Sequence, residues 1–277
     1  MSTSILVAIW AFAYGATLLA SLVGLLLSRK LLQRVGLALL VVGFIFNTWA
    51  IAGRWVDGGQ PPFRTLYETM IFYPWCVAAV TLVLVSLYRL YLLIPFAVGV
   101  SIFGIACALF KPDIEIINLP PALQSGWFIP HVVTYFMAYA ALFISFALAV
   151  LALAQPWWVK RGKVNSGLNY AGFGTIKFEQ YAHQAAVFGI CTLTLGLAMG
   201  AFWGKVAWGD YWSWDPKENW ALVCWLAYMI YLHLRLIAGW QERRAMWVLV
   251  FAFGAVVFTY LGINILPAAT GSLHAYQ

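Results

Sequence analysis

The sequence predicts an all-α, polytopic membrane protein with about eight transmembrane helices and both termini outside the cytoplasm. Hydrophobic residues make up 64% of the 277 positions and charged residues only 9%, whereas a soluble domain carries about 25% charged residues. The apolar residues fall in runs long enough to cross a bilayer, which takes about 20 residues. Lys and Arg are distributed unequally between alternate loops, and this bias sets the orientation of such a chain.

Eight apolar segments are predicted to span the membrane. They are residues 5–27, 35–53, 68–88, 91–110, 130–155, 184–203, 219–238 and 246–264. Glycines inside these segments should allow helices to pack closely in lipid; they are Gly15, Gly24, Gly43, Gly104 and Gly196. Little chain is left between the spans, so residues 1–277 are expected to form a single integral membrane domain.

The loops on one side of the predicted spans, together with Arg235 near the end of the seventh span, carry eleven of the 16 basic residues. That set is Arg29, Lys30, Arg34, Arg89, Lys160, Arg161, Lys163, Lys177, Arg235, Arg243 and Arg244. The positive-inside rule places these loops in the cytoplasm, and therefore places both termini and the loop 204–218 outside. Because the basic residues are scattered in short loops, the net charge of +7 does not indicate nucleic-acid binding. The KRGK segment at 160–163 is interpreted as an orientation signal, with contact with anionic membrane lipid as the lesser alternative.

The N-terminus and the cysteines exclude other classes. No basic residue precedes the first apolar run, so the chain is expected to begin with a transmembrane helix rather than a cleaved signal peptide. The four cysteines all lie in apolar runs, and none forms a CxxC or CxxCH motif. Disulfides, zinc sites and covalent haem attachment to this chain are therefore not expected.

A dense aromatic cluster occupies residues 208–220, WGDYWSWDPKENW. We interpret it as a surface for a large, flat, partly apolar ligand, because Trp faces give wide, stiff contact area. The alternative is a membrane-interface belt, which enriches Trp and Tyr without any ligand. The same stretch predicts a helix start, with Asp215 as N-cap, Pro216 at the first position and Glu218 closing a capping box. Capping alone could explain Asp215, so a ligand role for it stays open.

Two histidines share the predicted outer boundary with this cluster. His131 follows Pro130 at the start of the fifth span, and His274 lies near the C-terminus. Neutral imidazole is a common metal ligand, and a helix N-terminus disfavours the charged form of His131. Two axial histidines beside a stacking surface would suit haem iron. The alternative for each is a hydrogen-bonding residue at the membrane interface.

His233 has a different predicted position. It lies about fourteen residues into the seventh span, roughly 21 Å from its outer end, which is the inner third of a core about 30 Å thick. An ionisable group at that depth is a candidate functional residue. His183, at the inner start of the sixth span, could in principle face it but is more simply a boundary residue. If His233 binds a haem iron, the second axial ligand of that iron must otherwise come from another chain.

These residues resemble a known family. The Trp-rich motif is similar to the WWD signature of haem-handling proteins in cytochrome c assembly, and its DPKE continuation resembles the CcsA (ResC-like) branch more than the CcmC branch. Further similarities are LYET at 66–69, GAFWG at 200–204, His233 after MIYL, and the ending Asn264 to LHAY. The resemblance covers roughly residues 60–277, with the loop 204–218 as its presenting loop. Thr65 and Ala275 depart from the usual Asn and Ser of the family.

The resemblance implies haem b as ligand and substrate. His131 and His274 would be its axial ligands at an outer site where attachment occurs, and His233 would be one ligand at a site inside the membrane. The surface that presents haem would be formed by Trp208, Gly209, Trp212, Trp214, Asp215 and Trp220. No family position corresponds to His183.

The implied activity is haem delivery and thioether attachment to the CxxCH segment of apocytochrome c. The implied partners are a CcsB (ResB-like) membrane protein, the apocytochrome and a thiol-reducing, thioredoxin-like protein. A bacterial inner membrane fits this scheme, with a plastid thylakoid membrane as the alternative. Three other classes stay open: a haem exporter without synthase activity, a bis-His haem electron carrier, and a scaffold with ordinary aromatic belts.

Overall fold

The computed structural model describes residues 3–109, 116, 119–162 and 164–262, and this part of the chain is helical and contains no strand. The α-helices are α1 (Thr3–Leu26), α2 (Lys30–Gly58), α3 (Leu66–Tyr88), α4 (Leu93–Leu109), α5 (Phe128–Lys160), α6 (Ser166–Tyr170), α7 (Phe178–Trp208), α8 (Pro216–Leu236) and α9 (Glu242–Tyr260). A short 3₁₀ helix covers Pro121–Leu123. The predicted all-α fold is therefore confirmed.

Each predicted span coincides with one long helix. Within the described residues, six helices are long and apolar enough to cross a membrane: α1, α2, α3, α5, α7 and α9. The apolar part of α4 is shorter, at Leu93–Cys107, and α8 carries charged residues near both ends. The chain is thus a polytopic membrane protein, while the count of eight spans and the side of the termini stay predictions.

Several helices are longer than the apolar segments that predicted them. Helix α5 continues to Lys160 and α7 begins at Phe178, so much of the predicted inner loop 156–183 is helical. Helix α7 also continues to Trp208, which leaves residues 209–215 as the connection to α8. Hydropathy marks only the part of a helix that lipid surrounds, whereas backbone hydrogen bonding continues into polar residues.

The helices form two compact units. The first consists of Met1–Asn118 and Ala154–Lys177, and the second of Leu119–Leu153 and Phe178–Gln277. All the described candidate site residues belong to the second unit. The expectation of one integral membrane domain over residues 1–277 stays a prediction.

In the first unit, the short helix α6 is fastened to the turn between α1 and α2. The Gln33 side chain donates from Nε2 to the Gly167 carbonyl at 3.1 Å, and the Gly167 N–H donates to Ser28 Oγ at 3.0 Å. A Cβ at Gly167 would lie 2.5 Å from the Leu25 carbonyl oxygen. Only glycine therefore permits this approach.

Helix α3, also in the first unit, begins with a buried charged pair. Thr65 is the N-cap, and its side chain and that of Glu68 form a capping box. Glu68 Oε1 accepts from Arg54 Nε at 2.9 Å, and both side chains are 6% exposed. The Arg54 guanidinium also lies 5.1 Å from the centre of the Tyr67 ring.

In the second unit, glycines of α7 bring that helix close to α5. A Cβ at Gly189 would lie 2.5 Å from Leu142 Cδ2, and a Cβ at Gly196 would lie 2.8 Å from Tyr135 Cδ2. Of the glycines predicted to permit close packing, four have such a neighbour, at Gly24, Gly43, Gly104 and Gly196. Gly15 has nothing within 4 Å of its would-be Cβ, so the prediction is wrong there.

Candidate functional site

His131 lies in the first turn of α5, and its imidazole is held by α7. Its Nδ1 is 2.8 Å from the Gly196 carbonyl oxygen. A carbonyl oxygen only accepts hydrogen bonds, so Nδ1 carries the proton in this contact. In the neutral ring, Nε2 then bears the lone pair that binds metal. Histidine ligands in proteins usually donate their other ring N–H to such a carbonyl or to a carboxylate.

Two further residues of α7 fix the plane of this imidazole. A Cβ at Gly200 would lie 2.7 Å from His131 Cε1, so the absence of a side chain makes room for the ring. The Trp203 ring lies 5.6 Å from the imidazole at an interplanar angle of 29°. Residues 196, 200 and 203 lie on one face of the helix, since i, i+3 and i+4 positions align.

Trp203 connects His131 with the Trp-rich motif. It is 3% exposed, and its Nε1 donates to the Ala122 carbonyl at 2.9 Å. Its ring centre is 4.7 Å from that of Trp208, the first tryptophan of the motif. In the sequence, Trp203 stands out only as part of the GAFWG run, which predicts no role for it. Its place within that run was the available signal.

The motif's other indoles face different neighbours. Trp212 and Trp214 meet edge to face at 6.2 Å, while the Trp220 ring lies 4.1 Å from Phe258. Trp214 is 69% exposed, whereas Trp208, Trp212 and Trp220 are half-buried. The surface that the loop offers to a ligand is therefore dominated by Trp214.

Two loop residues have left-handed backbone conformations. Gly209 has φ +91° and Trp214 has φ +59°. Glycine adopts this region easily, but a bulky side chain there is a conformational outlier that needs support from its surroundings. Glycine at position 209 therefore suits the turn at the end of α7, whereas the backbone conformation of Trp214 requires support from neighbouring residues.

Helix α8 begins as predicted. Asp215 is the N-cap, Pro216 occupies the first position, and Glu218 completes a capping box. Asp215 is buried and its Oδ1 accepts from the Lys217 N–H at 2.8 Å, so the capping role is confirmed. A contact of Asp215 with a ligand stays a prediction. Burial lowers the pKa of Lys217, in this polar first turn ahead of the predicted span, to about 8, and Asp215 opposes the shift.

Side chains of the first turn of α8 also bind the loop that precedes it. Glu218 Oε2 accepts from the Ser213 N–H at 2.8 Å, from Ser213 Oγ at 3.1 Å and from the Asp215 N–H at 3.1 Å. Asn219 donates from Nδ2 to the Trp214 carbonyl at 2.9 Å. The sequence pattern predicts only the capping role of Glu218, and it indicates no role for Asn219.

His233 lies on an exposed face of α8. His183 is bonded elsewhere, because its Nδ1 is 3.0 Å from the hydroxyl oxygen of the fully buried Tyr231. Positions 231 and 233 point about 200° apart around the helix axis. His183 therefore does not face His233, and any second ligand for His233 has to be sought elsewhere.

His274 lies outside the described residues, so its distance from His131 is not part of the observed geometry. Among the residues that are described, no group of three or more His, Cys, Asp or Glu side chains is placed to hold a metal ion. The described part of the site thus offers one seated imidazole, an exposed indole and a capped helix start.

The sequence matches a family profile and is similar to proteins described as cytochrome c biogenesis proteins. The profile of the family described as Cytochrome C assembly protein matches residues 63–269. The chain is 33% identical over 271 residues to the cytochrome c biogenesis protein CcsA of Synechococcus sp. (strain RCC307), covering 90% of this chain and 86% of that protein. It is 34% identical over 253 residues to the protein of the same name from Prochlorococcus marinus (strain MIT 9515), covering 84% and 80%.

A solved structure also resembles this chain. The Cytochrome c Heme Lyase CcmF superimposes with a TM-score of 0.71 at 18% identity, over 94% of this chain and 47% of that one. At this identity the likeness shows a shared fold, and the present chain spans about half the length of that lyase. The profile match covers most of the sequence and the relatives are aligned over most of their length. The chain therefore belongs to the cytochrome c assembly protein family.

Proposed function

We propose that this chain delivers haem in cytochrome c maturation and acts as a subunit of a cytochrome c synthase. It presents haem at the outer face of the membrane for thioether attachment to the CxxCH segment of apocytochrome c. The observation that carries this proposal is the position of His131 against α7, in which Nδ1 donates to the Gly196 carbonyl and the lone pair of the neutral ring lies on Nε2, the atom proposed to bind iron. The names of the relatives, which are cytochrome c biogenesis proteins, support the same role.

In this proposal, region 60–277 is the cytochrome c assembly region and 204–218 its presenting loop. His131 and His274 are the axial ligands of the iron of haem b at the outer site. The presenting surface consists of Trp208, Gly209, Trp212, Trp214, Asp215 and Trp220. Exposure of Trp214 and the contact of Trp208 with Trp203 support a surface that begins beside His131.

His233 is proposed as one ligand of a second haem site inside the membrane. Its exposure on α8 suits a site completed by another chain, and we propose a CcsB (ResB-like) membrane protein as that chain. Haem would pass from this site to the outer one. The direction of His183 towards Tyr231 agrees with a ligand supplied from outside this chain.

The chemistry requires positioning more than acid–base catalysis. Each cysteine S–H of the CxxCH segment adds across one haem vinyl group, so that sulfur bonds to one carbon and the hydrogen ends on the other. Holding the reacting atoms close and oriented is then the main contribution of the chain. The thiols must be reduced, so a thioredoxin-like reductant is a further proposed partner. We place the chain in a bacterial inner membrane or, alternatively, a thylakoid membrane.

Replacing the ligands and restoring them with a small molecule tests the proposal. With the CcsB-like partner and an apocytochrome co-expressed, His131→Gly and His274→Gly should each reduce covalent haem attachment at least about tenfold. Added imidazole should restore part of it, because it can occupy the vacated axial position. Covalent haem on the cytochrome after denaturing electrophoresis is the measurement.

His183→Gly is the matched control, since it removes an imidazole that the proposal does not use. It should show no rescue by imidazole. Normal cytochrome maturation by both the His131→Gly and His274→Gly variants would overturn the outer-site assignment. Haem carried by the wild-type chain without any attachment to the apocytochrome would favour an exporter instead.

A further inference from the structure

The connection between α7 and α8 has a feature that helix capping does not explain. A capping box requires one hydrogen bond from the N-cap N–H to the side chain at the third helical position. Glu218 provides that bond to Asp215, but the same oxygen also accepts from the N–H and the hydroxyl of Ser213. Ser213 lies two residues before the cap. The carboxylate thus holds loop residues as well as the helix start.

Trp214 lies between the two residues that Glu218 holds. Its own carbonyl accepts a hydrogen bond from the Asn219 side chain, so residues 213, 214 and 215 are each bound by a side chain of α8. Trp214 is also the residue with φ +59°, a conformation that a bulky side chain rarely adopts unless its surroundings enforce it. Its indole is nevertheless the most exposed of the motif's tryptophans.

We propose that Glu218 and Asn219 are positioning residues that hold Trp214 in this left-handed conformation, so that its indole stands out from the chain and contacts the presented haem. This inference rests on the proposed function and adds to it two residues that act through Trp214. Without them, the backbone at position 214 relaxes to a negative φ and the indole leaves its place.

Hydrogen exchange of the full-length chain without haem tests the structural half of this proposal. In Glu218→Ala, amide exchange at Ser213 should accelerate about tenfold or more, because the Ser213 N–H loses its hydrogen-bond acceptor. Glu218→Gln keeps an acceptor oxygen, so exchange should stay within about threefold of wild type. Asp210→Ala is the matched control, since its carboxylate makes no hydrogen bond or ion pair among the described residues. Unchanged exchange at Ser213 in Glu218→Ala would overturn the proposal.

The functional half is tested by combining substitutions at positions 218 and 214. If Glu218→Ala only lowered stability, its effect on haem attachment would add to that of Trp214→Gly. Glu218→Ala and Trp214→Gly should each lower covalent haem attachment about tenfold, and the double variant should fall to the level of Trp214→Gly alone. Glu218→Gln should retain most activity. A double variant that loses the product of both factors would show that Glu218 does not act through Trp214.

The two proposals fail in different ways. If the wild-type chain and its partner attach no haem, the proposed function is wrong, while the exchange measurement still reports whether Glu218 holds the loop. If the wild type is active and Glu218→Ala is equally active, the positioning role is wrong and the proposed function stands.

Discussion

Helices α3 and α8 both begin with a capping box, but the glutamate of each box has different partners. At α3, the carboxylate of Glu68 accepts from the backbone at Arg64 and Thr65 and also forms a buried ion pair with Arg54. At α8, the described hydrogen bonds of Glu218 go to Ser213 and Asp215, and no ion pair of Glu218 occurs within the described residues.

This difference separates a cap whose carboxylate pairs with a buried charge from a cap whose described donors are all neutral. Removing one partner of a buried ion pair leaves the other charge buried and uncompensated, so the α3 capping box is fixed by a large energetic penalty. At α8, Glu218 accepts from neutral donors, which are the N–H groups of Ser213 and Asp215 and the Ser213 hydroxyl. These residues flank Trp214, which has an unfavourable backbone conformation. A capping box in the sequence therefore predicts a helix start but not what the carboxylate holds.

The sharpest test applies one substitution at both places. Glu68→Gln should destabilise the chain by about 3–5 kcal/mol, because Arg54 stays charged and buried. Glu218→Gln should cost about 1 kcal/mol or less, since an acceptor remains for the same donors. Thermal unfolding of the purified chain in detergent, followed by tryptophan fluorescence, measures both. Equal losses of stability in the two variants would remove the distinction between the caps.

A second test concerns the packing of the His131 imidazole against helix α7. Gly200→Ala places a methyl group against the imidazole, and overpacking of this kind costs about 1–3 kcal/mol. Haem attachment should fall more steeply than stability, because the ring proposed to bind iron is displaced. Gly15→Ala is the control, since its Cβ would meet nothing within 4 Å and alanine favours a helix. Full activity in Gly200→Ala would contradict the proposal that haem attachment depends on the position of the His131 imidazole against Gly200.

The smallest expected effect is on the pH dependence of stability. It arises at the second helical position, where α3 has Tyr67 and α8 has Lys217. Burial lowers the pKa of Lys217 to about 8, below the value of about 10.4 in an unfolded chain. The folded state therefore releases this proton first, and stability should rise as pH increases above about 8, by at most about 1.4 kcal/mol per pH unit.

Lys217→Met should remove this part of the pH dependence. The measurement is the difference between the unfolding profiles of the wild type and the variant from pH 7 to 9.5, in which other titrating groups cancel. Parallel profiles would show that Lys217 does not change its ionisation over this range.

The sequence predicted the features that depend on interactions between residues close together in the chain. The apolar runs predicted the long helices, and the DPKE pattern predicted the cap at Asp215 in detail. Helix ends were less accurate, because polar residues such as Glu179 and Gln180 continue the backbone hydrogen bonding of α7 beyond its apolar part. Packing of glycines was predicted in general but failed at Gly15, since periodicity does not tell which face of a helix meets a neighbour.

The supports of the site could not be predicted, because they join distant parts of the chain. The hydrogen bond between His131 and Gly196 links positions 65 residues apart, and it exists only once α5 and α7 pack together. The bonds from Glu218 to Ser213 are local, but they depend on a left-handed residue between them. Nothing in the tryptophan at position 214 indicates that backbone conformation.

The attachment of α6 to the turn between α1 and α2 constrains the order in which the first unit can be completed. The bond from Gln33 to Gly167 joins residues 134 positions apart. At a translation rate of about 5–20 residues per second, roughly 7–27 s pass between the synthesis of the two. During that interval the Gln33 amide and the Ser28 hydroxyl lack their native partner at Gly167. Residues 1–62 precede the region that the family profile matches, yet their native packing is completed only by a segment inside it.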